Sequence, residues 1–143
     1  MNIESKCRIV EMTRLDAVTF WMVLEVGKMV EKRGLRGGQF LHIKCGDGQL
    51  LRRPISVACA VPDEPEEGTE WLSRRKVGDE LDVMGPLGNG FDAAQPGRYL
   101  LVGGGIGVPP LMQYGECLQW PRTAVLGFRT GAKAFPAITS RFQ

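Results

Sequence analysis

Residues 83 to 110 read VMGPLGNGFDAAQPGRYLLVGGGIGVPP, and this stretch decides the architecture because it joins two glycine-rich turns of different kinds. In the first, Gly85-Pro86-Leu87-Gly88-Asn89-Gly90 contains no β-branched residue, so its backbone can take positive φ and pass close to a flat or charged ligand. In the second, Tyr99-Leu100-Leu101-Val102 reads as an apolar strand entering Gly103-Gly104-Gly105-Ile106-Gly107 and then Val108-Pro109-Pro110. Proline suits the first turn of a helix. Strand, glycine turn and helix start together predict an anion seat, since free N–H groups and the helix dipole point at whatever sits there. Two adjoining seats suggest two cofactors with something handed across.

Upstream of this stretch the pattern is one of strands. Residues 6 to 12 and 18 to 26 alternate as a hairpin does, and Gln39-Phe40-Leu41-His42-Ile43-Lys44 gives a third strand with a turn at Asp47-Gly48. The single histidine, His42, falls on that half-buried strand and is read as an edge or packing residue rather than a base. In Leu50 to Ala60, two arginines precede Pro54, which cannot donate a ladder bond, and Ser56 enters a strand. Such a rim leaves groups free for a ligand: arginine offers a planar donor fork to pyrophosphate and serine a hydroxyl to a ring nitrogen. An edge strand with solvated arginines accounts for these residues equally well. The acidic turn from Val61 to Glu67 reads as solvated. Gly68-Thr69-Glu70-Trp71-Leu72-Ser73 predicts a short helix capped by Thr69 and ending near Lys76, and Glu80 to Met84 a fifth strand.

Downstream, Leu111, Met112, Gly115 and Leu118 fall at helical spacing, and Thr123 to Gly127 reads as a strand, so a parallel strand-helix-strand crossover follows the second turn. Phe128-Arg129-Thr130 closes it.

Composition sets the outer bounds. A chain of 143 residues with 43% apolar and 24% charged residues reads as a soluble globular protein of ordinary domain size. Its 18 basic and 16 acidic residues leave a formal net charge of +2, too small to argue for nucleic acid or a membrane surface. The charged N-terminal residues do not make a signal peptide, and no apolar run reaches the roughly 18 residues of a membrane span, so a cytoplasmic location is expected. Cys7, Cys45, Cys59 and Cys117 are too widely spaced for a C-x-x-C metal grip. All four are expected to be reduced and structural, with no metal site.

Five stretches in order carry a family resemblance: Arg52-Arg53-Pro54-Ile55-Ser56, Gly68-Thr69-Glu70-Trp71-Leu72, Asp82 to Phe91, Leu101 to Leu111, and Val125-Leu126-Gly127-Phe128-Arg129. With them the chain resembles the electron-transfer subunit of the NAD-dependent, type B dihydroorotate dehydrogenase, in the ferredoxin-NADP reductase superfamily. The resemblance implies a fold of β plus α/β class: an antiparallel Greek-key flavin-binding barrel over residues 1–96, then the first strand-helix-strand unit of a nucleotide-binding α/β domain over 97–143. Arg53, Pro54, Ile55 and Ser56 would lie along FAD, Gly68 and Thr69 at its phosphates, and Gly103, Gly104, Gly105, Ile106 and Gly107 against NAD. No side chain is required as an acid or base, since the flavin supplies the redox chemistry.

The same resemblance implies a hetero-oligomer with a dihydroorotate-oxidising FMN subunit, electrons passing through a 2Fe-2S cluster to FAD and on to NAD in pyrimidine biosynthesis. Only 11 residues separate Ser56 from Gly68, where the family has a further strand, so a five-stranded barrel with two unpaired edges is expected. The family's cluster cysteines have no counterpart in this sequence, and the nucleotide domain is expected to stop after its second strand. Two other readings stand beside this one: an inactive piece or interaction module of the family that folds against a partner, or a flavin reductase subunit of another oxidoreductase complex.

Overall fold

The computed structural model describes residues 3–14, 20–27, 35–57, 67–92 and 95–128. The expectations for residues 15–19, for Cys59 and the strand extension to Ala60, for the acidic turn before Glu67, and for the chain from Arg129 onward lie outside them.

The first sheet contains β1 (Ile3–Arg14), β2 (Phe20–Glu25), β3 (Phe40–Ile43), β4 (Arg53–Ser56) and β5 (Glu80–Leu87), in the order β2-β1-β5-β3-β4 and antiparallel throughout. Alternation along the strands sends Cys7, Ile9, Leu41, Ile43, Leu81 and Val83 inward while Lys6, Arg8 and Glu80 face solvent. Register makes those residues neighbours, Cys7 opposite Leu81 and Ile43 opposite Val83. Phe20, Cys45 and Leu72 complete this core. Each large apolar side chain so buried contributes roughly 1.5–3 kcal/mol, and this cluster holds the half-barrel.

Strand β5 runs farther than its sequence suggests. Its ladder is continued on both sides, by Ile3 opposite Gly85 and Phe40 opposite Leu87, so the turn proper begins at Gly88 with φ 76°. Gly85 is a packing glycine: a Cβ there would stand 2.6 Å from Leu41 Cδ2.

Helix α1 (Glu67–Ser73) starts two residues before Thr69, which is therefore inside the helix and not its cap. It also ends before Lys76, because the N–H groups of Arg74 and Arg75 donate to Trp71 O and Leu72 O and tighten the last turn. The Arg75 guanidinium lies 4.2 Å over the Trp71 ring.

Among the described residues β2 and β4 form the edges of this sheet. Pro54 sits on the β4 edge, where a missing N–H costs least. Arg52, just before β4, donates to Asp82 O at 3.1 Å, Asp82 Oδ1 at 2.9 Å and Glu4 Oε1 at 3.1 Å. That arginine is a structural clasp across β5 and β1 rather than a ligand group.

The second sheet is the expected crossover: β6 (Tyr99–Gly104), a 3₁₀ turn (Gly105–Gly107), α2 (Val108–Cys117) and β7 (Arg122–Gly127), with β6 and β7 parallel and Leu101 opposite Ala124. Pro109 and Pro110 occupy the first turn of α2, whose Val108, Met112 and Gly115 are buried. Leu118 is buried too, but from an extended position after the helix, its N–H donating back to Tyr114 O and Gly115 O. The other face of this ribbon is bare, with Leu100, Val102 and Val125 exposed by 65%, 66% and 54%. Among the described residues no helix is long and apolar enough to cross a membrane.

Candidate functional site

Strand β3 sets the geometry of the site. Its first residue, Phe40, is opposite Ser56 on β4 and opposite Leu87 on β5. Ser56 and Leu87 therefore share one end of the sheet, two strand spacings or about 10 Å apart. The first glycine turn follows directly, and Gly88 is fitted to Phe40, whose Cε1 would stand 2.9 Å from a Cβ at position 88.

Gln39 ties this rim together, a role its polar side chain at a strand entry did not announce in the sequence. It is 9% exposed; its Oε1 accepts from Arg36 N–H at 2.9 Å, its Nε2 donates to Gly88 O at 3.3 Å, and its carbonyl accepts from Val57 N–H at 3.1 Å. One residue thus couples the loop before β3, the glycine turn and the end of β4.

Of the β4 residues, Pro54 is exposed and Arg53, Ile55 and Ser56 are half-buried. Ile55 and Ser56 line an apolar cleft of about 260 Å³ between the two sheet edges, shared with Met22 and Leu24 of β2 and Leu72 of α1. The structure thus brings β4 and the helix carrying Gly68 and Thr69 to one cleft. Burial pushes the Cys45 thiol up from its ordinary value, while the nearby Arg53 charge pulls it down; Arg53 is opposite Ile43, at the other end of β4 from Ser56.

The second glycine turn has a different construction from the expected one. Val108 N–H donates to Gly105 O, and Pro109 and Pro110 have no N–H, so the first turn of α2 offers few donors. What remains is the 3₁₀ turn itself. Gly105 needs glycine for its φ of 48°, Gly103 because a Cβ would stand 2.7 Å from Leu111 Cδ1 and 3.1 Å from Gly107 O. At Gly107 a Cβ would meet no atom within 4 Å, and at Gly104 the nearest is 3.8 Å away, so the backbone at both lies open to a ligand.

Gly103 to Gly107 do not line the apolar cleft that bears Ser56. What meets the loop before β3 is α2, through a junction between the sheets. Gly37 packs so closely on α2 that a Cβ would stand 2.8 Å from Tyr114 N and 3.1 Å from Pro110 O. Gln113 Nε2 donates to Leu35 O at 2.9 Å, Phe91 N–H to Gly37 O at 2.8 Å, and Tyr114 OH to Asp92 O at 3.3 Å. Leu35 to Gly37 immediately precede the rim residues Gln39 and Phe40.

His42 sits inside the sheet between β5 and β4 and packs against Phe40, ring centroids 5.4 Å apart. Cys7 and Cys45 are buried, whereas Cys117, expected to be structural, is exposed at the end of α2. Among the described residues no group of three or more His, Cys, Asp or Glu side chains is placed to hold a metal.

No family model matches the chain. A curated relative does: the electron transfer subunit of dihydroorotate dehydrogenase B (NAD(+)) from Shouchella clausii (strain KSM-K16) is 40% identical over 149 aligned residues, covering 92% of this chain and 57% of the relative. The chain is a homologue of that subunit. It spans about half the length of the dihydroorotate dehydrogenase B electron transfer subunits it matches. The 149 aligned positions exceed the 143 residues here, so the relative has segments without counterpart inside the matched region.

Among solved structures, an NADH-dependent reduced ferredoxin-NADP oxidoreductase is 31% identical with a TM-score of 0.73, covering 89% of this chain and 50% of that one. A flavohemoglobin from Malassezia yamatoensis, solved with bound FAD and heme, matches with a TM-score of 0.73 over 97% of this chain and 42% of its own; at 20% identity that likeness is one of fold. The antiparallel half-barrel and the strand-helix-strand after it are those of the ferredoxin-NADP reductase fold.

Proposed function

We propose that this chain is the flavin-holding part of an electron-transfer subunit, passing electrons from a dihydroorotate-oxidising FMN subunit through FAD to NAD. The observation that supports this most is the shared sheet end of Ser56, Phe40 and Leu87 in a homologue of the dihydroorotate dehydrogenase B subunit. In this reading Arg53, Pro54, Ile55 and Ser56 hold the FAD along the exposed edge of β4, with Gly68 and Thr69 at its phosphates. The open backbone at Gly104 and Gly107 fits a nucleotide approaching the second turn, with Gly103, Gly105 and Ile106 shaping it. FAD, when bound, supplies the redox chemistry. The chain's own residues position the flavin: Ser56 Oγ serves as a hydrogen-bonding partner for a ring edge, Arg53 offers a charge to pyrophosphate, and the Gln39 bonds hold the glycine turn at Gly88 against the loop before β3.

The test is binding. Purified protein mixed with FAD is expected to retain flavin absorbance through gel filtration and to melt at a higher temperature with FAD than without, because a ligand bound to the native state alone stabilises it by mass action. A colourless protein with an unchanged melt refutes the proposal. NAD reduction by dihydroorotate on mixing with the FMN subunit tests the choice of donor.

A second reading is favoured by the apolar cleft lined from both β2 and β4: an interaction piece that becomes stable against a partner subunit. Poor solubility alone, rescue on co-expression with the dehydrogenase subunit, and no FAD-induced shift in the rescued complex identify it.

A further inference from the structure

A second cleft, of about 360 Å³, lies where the end of α2 meets the first sheet, and its volume falls in the range of small-molecule sites, roughly 300–1,000 Å³. Two aromatic side chains stand out among the exposed large apolar residues, Phe91 at 39% and Trp120 at 37%, and both line this cleft. Tyr114 backs Phe91, ring centroids 5.0 Å apart. Large exposed aromatic surface gathered in one cleft from three segments is surface with a use.

Polar groups accompany the rings. Arg36 and Asp92 line the same cleft from neighbouring segments, which Phe91 N–H joins by its 2.8 Å bond to Gly37 O. Among the described residues the Arg36 guanidinium and the Asp92 carboxylate form no ion pair. A cationic donor fork and an anionic acceptor beside aromatic rings match a flat heterocycle with both acceptor and donor edges. Arginine pairs with the O6 and N7 acceptors of guanine, and a carboxylate accepts from the ring and exocyclic N–H groups on guanine's other edge.

The geometry points to a binding site for a purine of guanine type, stacked against Trp120 and Phe91 and held at its edges by Arg36 and Asp92. Leu35 is the one described residue common to this cleft and the one bearing Ser56.

Cys117 lines the cleft and is exposed, which supplies the readout. The protein, with FAD present so that a flavin site is occupied, is alkylated with iodoacetamide, and labelling is followed at each cysteine by peptide mass spectrometry. Guanosine is expected to slow Cys117 alkylation several-fold. Protection should be lost in W120A and in R36Q. Cys7 and Cys45 are buried, so their failure to label certifies in the same digest that each variant is folded. The proposal is overturned if guanosine at its solubility limit leaves the wild-type Cys117 rate unchanged, or if protection survives in folded W120A and R36Q.

Discussion

Ser56 and Leu87 lie opposite the same residue, Phe40, on its two sides, so the end of β4 and the first glycine turn share one rim. Two substitutions test what that rim is for. Ser56→Ala removes one hydroxyl from the edge and is expected to weaken FAD about tenfold, the worth of one hydrogen bond near 1.4 kcal/mol, with little change in stability. Gly88→Ala acts on the fold instead: its φ of 76° and the Phe40 ring at 2.9 Å both penalise a Cβ. A loss of about 1–2 kcal/mol in urea unfolding is the expected result.

Arg52 and Arg53 are adjacent and should behave differently. Arg52 is engaged with Asp82 and Glu4, partly screened by solvent, so Arg52→Gln should cost about 1 kcal/mol of stability and leave FAD affinity within twofold. Arg53→Gln should lower FAD affinity about tenfold, the worth of one charge-assisted bond. Calorimetric titration with FAD on both variants separates the roles.

Gln39→Leu keeps the size of the side chain and removes both its bonds. Arg36 N–H and Gly88 O then lose their partners, at a cost of about 1–3 kcal/mol. Hydrogen exchange should rise at Arg36 before it rises in the core of β1.

At the junction, Gly37→Ala places a methyl group 2.8 Å from a helix backbone nitrogen, which cannot rotate away. Overpacking of this kind costs about 1–3 kcal/mol. The expected signature is a second unfolding transition, the two sheets melting separately in calorimetry.

Alkaline pH should loosen the half-barrel. Burial, with Asp82 nearby, raises the Cys7 thiol above its ordinary 9.0, and burial raises Cys45 likewise. Folding thus holds these protons more tightly than the unfolded chain does, so their contribution is complete below pH 9.0 and is lost as pH climbs through the raised folded values. Urea midpoints measured from pH 7 to 11 should fall above pH 9, and a Cys7→Val, Cys45→Val double variant should fall less steeply.

Much of this architecture was legible because its signals are local. Alternation in Cys7 to Ile9 and Leu41 to Ile43, and the apolar strand before Gly103, need no partner to be read. Pairings across the chain were harder. Nothing near Arg52 reveals Asp82, 30 residues away, and nothing near Gln39 reveals Gly88, 49 away. The length of β5 was misjudged for the same reason: its last residues are strand because β1 and β3 are beside them. The start of α1 turned on Glu67, a residue that the acidic composition of its neighbours assigned to the preceding turn. In the second turn the prolines fit the helix start, yet those same rings lack the donors an anion needs.

The bare side of the β6-β7 ribbon bears on how the protein handles in solution. Leu100, Val102 and Val125 form a greasy stripe on one face of the parallel pair. Such a surface is sticky toward its own kind, and more so in ammonium sulfate, which strengthens apolar association. Light scattering should therefore show particle size growing with concentration and with sulfate, and a lysine at position 102 should keep the preparation monodisperse.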